Sequence, residues 1–198
     1  SVTQVAGNLL VGAPAAWAIS RLRFRGRSMV RGLYIVLMLL PFQVTMVPSY
    51  LVLRQFGLLD TPWAIILPGI FSTFPVFIME RGFDTVPREV LESASIDGAN
   101  QWQRFWRIGI PLGIPGLISA LTLGFLDAWN AIEQPMTFLE SPQYWPLSLF
   151  FTDPANLDTK QLGLAMAASL WMLLPSILVF RFGQTYLEAG LTKGAVKG

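Results

Sequence analysis

Five apolar stretches constrain the fold of this chain more than any other feature. Each approaches the roughly 20 residues that a helix needs to cross about 30 Å of hydrocarbon. Five such helices in 198 residues, of which only 13% are charged, would leave a soluble protein almost no polar surface. We therefore predict an all-α integral membrane protein, with about five transmembrane helices in a single domain over 1–198. The stretches, called spans 1 to 5, are 2–20, 33–53, 63–79, 110–128 and 162–182.

The composition narrows the function. The sequence has no cysteine and no histidine, which argues against thiolate nucleophiles, Cys/His zinc sites and imidazole acid–base catalysis. Its 14 basic and 12 acidic residues are too balanced for a nucleic-acid-binding domain. No segment resembles the phosphate-binding loop GxxxxGK[ST]. We therefore expect no catalytic residues, no metal, no cofactor and no nucleic acid bound by this chain.

The distribution of Lys and Arg orients the spans. Segments on one side of the spans hold 12 of the basic residues, and only Arg54 and Lys160 lie on the other. The positive-inside rule then predicts a multi-pass protein of the cell (inner) membrane, with residue 1 outside. It predicts a cytoplasmic loop at about 81–109, an external loop at about 130–161 and a cytoplasmic tail at about 183–198. A second interpretation of the arginine run at 21–27, as a lipid- or nucleic-acid-binding patch, stays open.

The loop at 81–109 has the pattern of a helix, a bend and a second helix. Asp84 and Thr85 are residues that commonly cap a helix, and we expect them to begin the first one. Asp97 and Gly98 then interrupt it, because glycine supplies the backbone freedom that a sharp turn needs. Small residues in and after the first helix would allow another backbone to approach closely. They are Ser93, Ala94, Ser95, Gly98 and Ala99.

The stretch ESASIDGANQWQRFWRIGIP at 92–111 resembles the EAA motif of binding-protein-dependent ABC importer permeases. That motif reads EAA, three residues, Gly, nine residues, Ile, one residue, Leu, Pro. Ser93 and Ile110 replace its second alanine and its leucine. The segments 16–27 and 190–198 are further similar to the carbohydrate-uptake subfamily, so the resemblance covers essentially the whole chain. The identities fall at Glu92, Ala94, Gly98, Ile108 and Pro111.

The resemblance implies the permease subunit of an ATP-driven importer for a sugar, oligosaccharide or polyol derivative. Its implied partners are two ATPase subunits that bind ATP and magnesium, a second permease subunit and an extracytoplasmic solute-binding protein. The loop would be the coupling helix, which fits a cleft in the ATPase. Family members usually have six spans, so either an N-terminal span precedes this sequence or the chain is a naturally short member. The implied ATPase-coupling residues are Glu92, Ser93, Ala94, Asp97, Gly98 and Ala99.

Two other functions stay open on the residues alone. The first is an ion-coupled secondary transporter, which would usually carry a carboxylate or a broken helix at mid-membrane. The second is a membrane scaffold that docks a cytoplasmic enzyme without conducting any solute. Uptake assays distinguish all three functions.

Polar side chains within the spans are candidates for a solute pathway, because ionisable and amide groups in membrane segments are commonly functional. Aromatic faces beside such groups suit sugars. Alternatives remain: Trp129 as an interface aromatic, Asp127 as a cap, and hydrogen bonding between helices for the polar residues of span 2. The candidates are Gln43, Thr45, Asp127, Trp129 and Asn130.

Overall fold

A computed structural model describes residues 1–150 and 162–195, and helices are the regular elements of both ranges. A π-helical segment at Phe105–Gly109 joins α7 to α8, and a short 3-10 turn at Pro142–Tyr144 precedes α10. The helices are α1 (Val2–Arg21), α2 (Arg27–Leu39), α3 (Phe42–Gln55), α4 (Trp63–Ile70), α5 (Thr73–Asp84), α6 (Arg88–Ile96), α7 (Gln101–Arg104), α8 (Ile110–Asn130), α9 (Glu133–Phe138), α10 (Leu147–Phe150) and α11 (Leu162–Ala195).

The predicted spans 1, 3 and 4 coincide with long apolar helical stretches. Within the described part of the chain, three such stretches are long and apolar enough to cross a membrane, and a bent helix pair would make a fourth. Predicted span 5, at 162–182, falls inside α11. The all-α membrane fold is therefore confirmed. The three stretches are Val2–Arg21, Trp63–Asp84 and Gln101–Asn130.

The apolar stretch of span 2 contains two helices, α2 and α3, whose axes differ by 103°. Pro41 is the cause, because proline lacks an N–H and disfavours helical backbone in the preceding residue. Leu40 accordingly has extended dihedrals, with ψ at 123°. Span 2 is a broken segment.

The core lies where α1, α5 and α8 pack together. The Trp17 ring of α1 contacts Phe83 of α5 edge-on, with 5.3 Å between centroids, and Phe105 at 5.8 Å. All three rings are buried. Nearby, α5 and α8 cross backbone to backbone, because a Cβ built on Gly82 would lie 2.6 Å from the Cα of Gly116. Aromatic packing and this close crossing hold the three helices together.

Helices α2, α3 and α11 carry much of the exposed apolar surface. Met29 is 79% exposed, Leu39 71% and Trp171 70%. Such exposure would be costly in water, but lipid tails are as apolar as these side chains. These outward faces therefore suit a bilayer.

Candidate coupling surface

Helix α6 lies between α5 and α8, and its start differs from the predicted one. Pro87 with extended backbone immediately precedes α6. The expectation that Asp84 and Thr85 cap this helix is wrong, because both side chains bond elsewhere. Asp84 accepts hydrogen bonds from the Ser20 hydroxyl at 2.6 Å and from Arg31 at 3.1 Å. Thr85 donates to the carbonyl of Gly82 at 2.8 Å.

The end of α6 explains the spacing of Ala94 and Gly98. The N–H of Gly98 donates to the carbonyl of Ser95 at 3.1 Å, and that of Ala99 donates to the carbonyl of Ala94 at 2.9 Å. This pair of bonds is a Schellman motif, which requires a left-handed residue. Gly98 supplies it with φ of +84°. The bend that the sequence predicts at Asp97 and Gly98 is present.

A capping box begins the next helix. The side chain of Asn100 accepts from the N–H of Gln103 at 2.8 Å, and the Gln103 side chain accepts from the N–H of Asn100 at 2.9 Å. The pair satisfies two donors that the first turn of α7 would otherwise leave unpaired. The loop is therefore held as a helix, a bend and a second helix by local bonds.

The outer face of α6 is exposed. Glu92 is exposed and forms no ion pair with any described residue. Ile96, one helical turn further, is 87% exposed. Ser93 donates to the carbonyl of Glu89 at 2.9 Å, while Ala94 and Ala99 are half-buried and Asp97 and Gly98 are exposed. Charged and apolar groups thus lie side by side on a surface suited to protein contact.

Ile96 is missing from the coupling residues that the resemblance implies. The sequence feature that indicates Ile96 is its position: this apolar residue lies four residues after Glu92, on the polar face of an amphipathic helix. Large exposed apolar residues on an otherwise polar helix face are typical of contact surfaces. We include Ile96 in the coupling surface, which we define as Glu92, Ser93, Ile96, Asp97 and Gly98.

The inner face of α6 is attached to the core. Leu91 is 8% exposed and packs in one buried cluster with Val86, Phe83, Phe105 and Trp17. These residues come from α1, α5, the turn before α6, α6 itself and the segment before α8. The inner face of α6 therefore packs against the helices that form the bundle.

The polar residues of α1 and α8 meet in a small crevice. Asp127 lines a space of about 20 Å³ together with Gln4, Asn8 and Ser72. Asn8 is buried, and its amide donates to the carbonyls of Ile70 at 2.9 Å and Ser72 at 3.1 Å. It thereby satisfies carbonyls that the break between α4 and α5 would leave free. Gln4 and Asn8 are absent from the predicted pathway residues, although an amide within an apolar span indicated them.

The other predicted pathway residues make separate contacts. The indole of Trp129 donates to the carbonyl of Met172 at 3.0 Å, joining α8 to α11. Asn130 donates to the Leu126 carbonyl at 2.7 Å within its own helix. The hydrogen bonds of Trp129 and Asn130 therefore go to backbone carbonyls. Asp127 forms no hydrogen bond with either side chain.

In α3, Thr45 donates to the carbonyl of Phe42 at 3.1 Å. Gln43 donates to the carboxylate of Glu133 at 2.9 and 3.0 Å, which links α3 to α9. No hydrogen bond or ring contact joins any two of the five predicted pathway residues. Among the residues described, no three Asp or Glu side chains are grouped in a way that would hold a metal ion.

Comparison with known proteins identifies similar sequences. A sequence profile of the family described as "Binding-protein-dependent transport system inner membrane component" matches residues 8–193. The chain is 32% identical over 200 residues to the "Inner membrane ABC transporter permease protein YcjP" of Escherichia coli, covering 100% of this chain and 71% of that protein. It is also 32% identical over 203 residues to the "Diacetylchitobiose uptake system permease protein DasC" of Streptomyces coelicolor, covering 100% and 72%.

A solved structure is similar as well. It is a bacterial ABC transporter involved in the import of the acidic polysaccharide alginate. The TM-score is 0.68 at 27% identity, over 99% of this chain and 71% of that one. The described helices therefore have the arrangement of a known transporter subunit.

Proposed function

The chain belongs to the family of inner membrane components of binding-protein-dependent transport systems, and from this premise we propose that α6 couples a separate ATPase to solute passage. The chain is a permease subunit of an ABC importer and a multi-pass inner membrane protein, and it is not an enzyme. The observation that carries the coupling role is the exposed outer face of α6. Glu92 and Ile96 protrude there between two apolar stretches without a partner in the described chain.

Each residue of the coupling surface, together with Ala94 and Ala99, has a distinct role in this proposal. Glu92 forms a charge-assisted contact with a basic side chain of the ATPase. Ile96 fills an apolar position of the ATPase cleft, and Ser93 and Ala94 allow close approach. Gly98 fixes the bend, while Asp97 and Ala99 complete the turn that ends α6.

The coupling works as a lever. Leu91 joins α6 to the buried cluster of α1, α5 and α8, so a displacement of α6 moves these helices as a body. Rigid-body rotation of packed elements is a common form of switching. The ATPase supplies the differential contact that a change of state requires.

The partners follow from this role. Two cytoplasmic ATPase subunits bind ATP and magnesium, a second permease subunit completes the pathway and an extracytoplasmic protein delivers the solute. The excess of basic residues on one side supports a cytoplasmic C-terminus. In the predicted external loop 130–161, residues 151–161 lie outside the described residues, as do 196–198 of the tail.

We assign a carbohydrate as the solute. Relatives named for diacetylchitobiose and arabinooligosaccharides, and the alginate importer, support this class. Gln4, Asn8 and Asp127 provide amide and carboxylate groups that pair with sugar hydroxyls once the crevice widens. Gln43, Thr45, Trp129 and Asn130 stay predictions for the same pathway.

Copurification and uptake test the proposal. The double variant Glu92→Arg/Ile96→Ser is compared with wild type and with Arg107→Gln, an exposed change in the same loop but outside α6. Wild type and Arg107→Gln should retain the ATPase in mild detergent and accumulate labelled oligosaccharide in vesicles. The double variant should insert normally but lose both. Equal ATPase retention in all three would contradict the coupling role.

The uptake measurement distinguishes an ABC importer from a secondary transporter and from a scaffold. A secondary transporter would continue uptake after deletion of the ATPase gene, and a scaffold would retain the ATPase without any uptake. Either result would overturn the importer function of this chain.

A further inference from the structure

A basic cleft lies beside α6 at the end of α1. It has a volume of about 360 Å³, within the roughly 300–1,000 Å³ typical of ligand sites. Glu92 is the only carboxylate among its lining residues, against five arginines. The lining arginines are Arg21, Arg23, Arg27, Arg88 and Arg104.

Two of these arginines already have acceptors. Arg21 donates from Nε to the carbonyl of Phe83 at 2.9 Å, and Arg27 donates from Nε to that of Ile19 at 2.6 Å. These bonds tie α1 to the start of the coupling loop and to the turn before α2. Arg21 and Arg27 therefore form the wall of the cleft.

Four other side chains of the cleft have donors without an acceptor in the described chain. Arg23 and Arg88 form neither an ion pair nor a hydrogen bond with any described residue, and both are exposed. The Nε of Arg104 and the Nε1 of Trp17 are buried without a hydrogen-bond partner. Trp17 is only 5% exposed, and a buried N–H without a partner is rare. The cleft thus presents donors in excess of acceptors.

The position of the cleft indicates the source of an acceptor-rich ligand. Trp17 and Arg21 lie in the last two turns of the apolar stretch Val2–Arg21, and Arg104 lies in the first turns of Gln101–Asn130. The ends of two spans place the cleft at the level of lipid headgroups. The exposed indoles of Trp102 and Trp106 lie at the same level, as is typical of a membrane interface.

We propose that this cleft binds the phosphate of an anionic phospholipid headgroup. Arginine is suited to this ligand because its planar group donates two parallel hydrogen bonds to phosphate oxygens. Arg23 and Arg88 supply the accessible charges, and Arg104 and Trp17 supply the inner donors. Basic pockets between spans are a known form of headgroup site. Glu92 borders both the cleft and the coupling surface, but lipid binding is measured separately from ATPase docking.

The test uses the whole transporter complex in lipid nanodiscs, followed by native mass spectrometry. Nanodiscs of phosphatidylcholine alone are compared with nanodiscs that also contain phosphatidylglycerol, and a third arm adds inorganic phosphate to phosphatidylcholine nanodiscs. The cleft variant is Arg23→Gln/Arg88→Gln. Its matched control is Arg25→Gln/Arg107→Gln, which removes two exposed arginines of the same segments that do not line the cleft.

We expect wild type and the control to retain phosphatidylglycerol selectively. A basic residue near an anionic surface contributes roughly a factor of five in affinity, so the cleft variant should bind about thirtyfold more weakly. Arg23→Lys/Arg88→Lys keeps the charge but loses the paired donors, and it should bind with intermediate strength. This variant also separates lost binding from misfolding.

Two results would overturn the proposal. Equal retention of phosphatidylglycerol by the cleft variant and the control would show that the cleft is not the site. If the complex in phosphatidylcholine nanodiscs retains inorganic phosphate as well as it retains phosphatidylglycerol, the site would be assigned to a soluble phosphate compound instead.

Discussion

Arg31 of α2 forms an ion pair with Glu80 of α5, whose side chain is only 3% exposed. Arg31 also reaches Asp84 at 3.1 Å, and Asp84 accepts from Ser20 of α1. Helices α1, α2 and α5 are therefore joined by two ion pairs and a hydrogen bond from a hydroxyl to a carboxylate. A buried carboxylate is tolerated only when it is paired and hydrogen-bonded.

The substitution Arg31→Gln should destabilise the protein by about 2 kcal/mol. Breaking a fully buried pair costs about 3–5 kcal/mol, and the partial exposure of Arg31 reduces this value. The thermal midpoint of the purified complex measures the effect. Arg25→Gln is the control, since Arg25 has no ion pair in the described chain, and Glu80→Gln together with Arg31→Gln should recover part of the loss. Equal midpoints for Arg31→Gln and Arg25→Gln would contradict the prediction.

The substitution Gly98→Ala should strain the end of α6 by about 1–2 kcal/mol, because an L side chain is unfavourable in left-handed backbone. No atom lies within 4 Å of a Cβ added there, so the effect is conformational and not steric. Coupling, measured as solute taken up per ATP hydrolysed, should fall. Gly32→Ala is the control, with open space and ordinary helical backbone. Unchanged coupling in Gly98→Ala would exclude a role for the bend.

Local features of the sequence predicted the helices and the bend well. An apolar stretch of membrane length needs no knowledge of the rest of the chain, and a left-handed glycine after a helix is a local signal. Pro48 and Pro115 lie inside helices, whereas Pro41 lies at the break between α2 and α3. The proline alone does not distinguish these outcomes.

The parts of the site that the sequence did not predict depend on contacts between distant residues. Asp84 has a partner in Ser20, 64 positions away, and this contact removes it from capping. Asn8 bonds to residues that follow it by 62 and 64 positions. The exposure of Ile96 results from Leu91, which turns the opposite face of α6 toward the core. None of these pairings is visible in a local pattern.

The crossing of α5 and α8 should not tolerate a side chain at Gly116. A Cβ there meets the backbone of Gly82, including its N at 3.1 Å, and backbone cannot move aside as a side chain does. Gly116→Val should cost at least the roughly 1–3 kcal/mol of an overpacked core, seen as less folded protein after detergent extraction. Gly163→Val, at an exposed position with open space, should be extracted like wild type. Similar yields would mean that the helices separate without penalty.

Acidification should weaken the hydrogen bonds between Asp60 and the segment after α9. The pKa of Asp60 lies below its ordinary value, because Ser141 donates its hydroxyl and its N–H, and Glu140 its N–H. The folded state therefore binds the proton less readily than the unfolded state. The resulting stability is present above the ordinary pKa and is lost as pH falls through the lowered one.

The measurement is the thermal midpoint between neutral pH and about pH 3. The thermal midpoint of wild type should fall further over this interval than that of Asp60→Asn, whose side chain cannot titrate. Glu140→Gln removes a neighbouring exposed carboxylate and should behave like wild type. The same pH dependence in wild type and Asp60→Asn would show that these hydrogen bonds do not depend on the negative charge of Asp60.

Variants on the two faces of α6 should have different effects, because the inner face transmits the movement and the outer face binds the ATPase. Leu91→Ala removes the buried contact with the core, at about 2–3 kcal/mol for a large-to-small change at the edge of a cluster. The ATPase should still copurify, but uptake per ATP hydrolysed should fall because α6 moves without the bundle. Ile96→Ala changes an 87% exposed side chain, so stability should hold while the ATPase is lost more readily. If both variants lose the ATPase to the same degree, α6 acts only as a docking site, and the lever role of Leu91 is wrong.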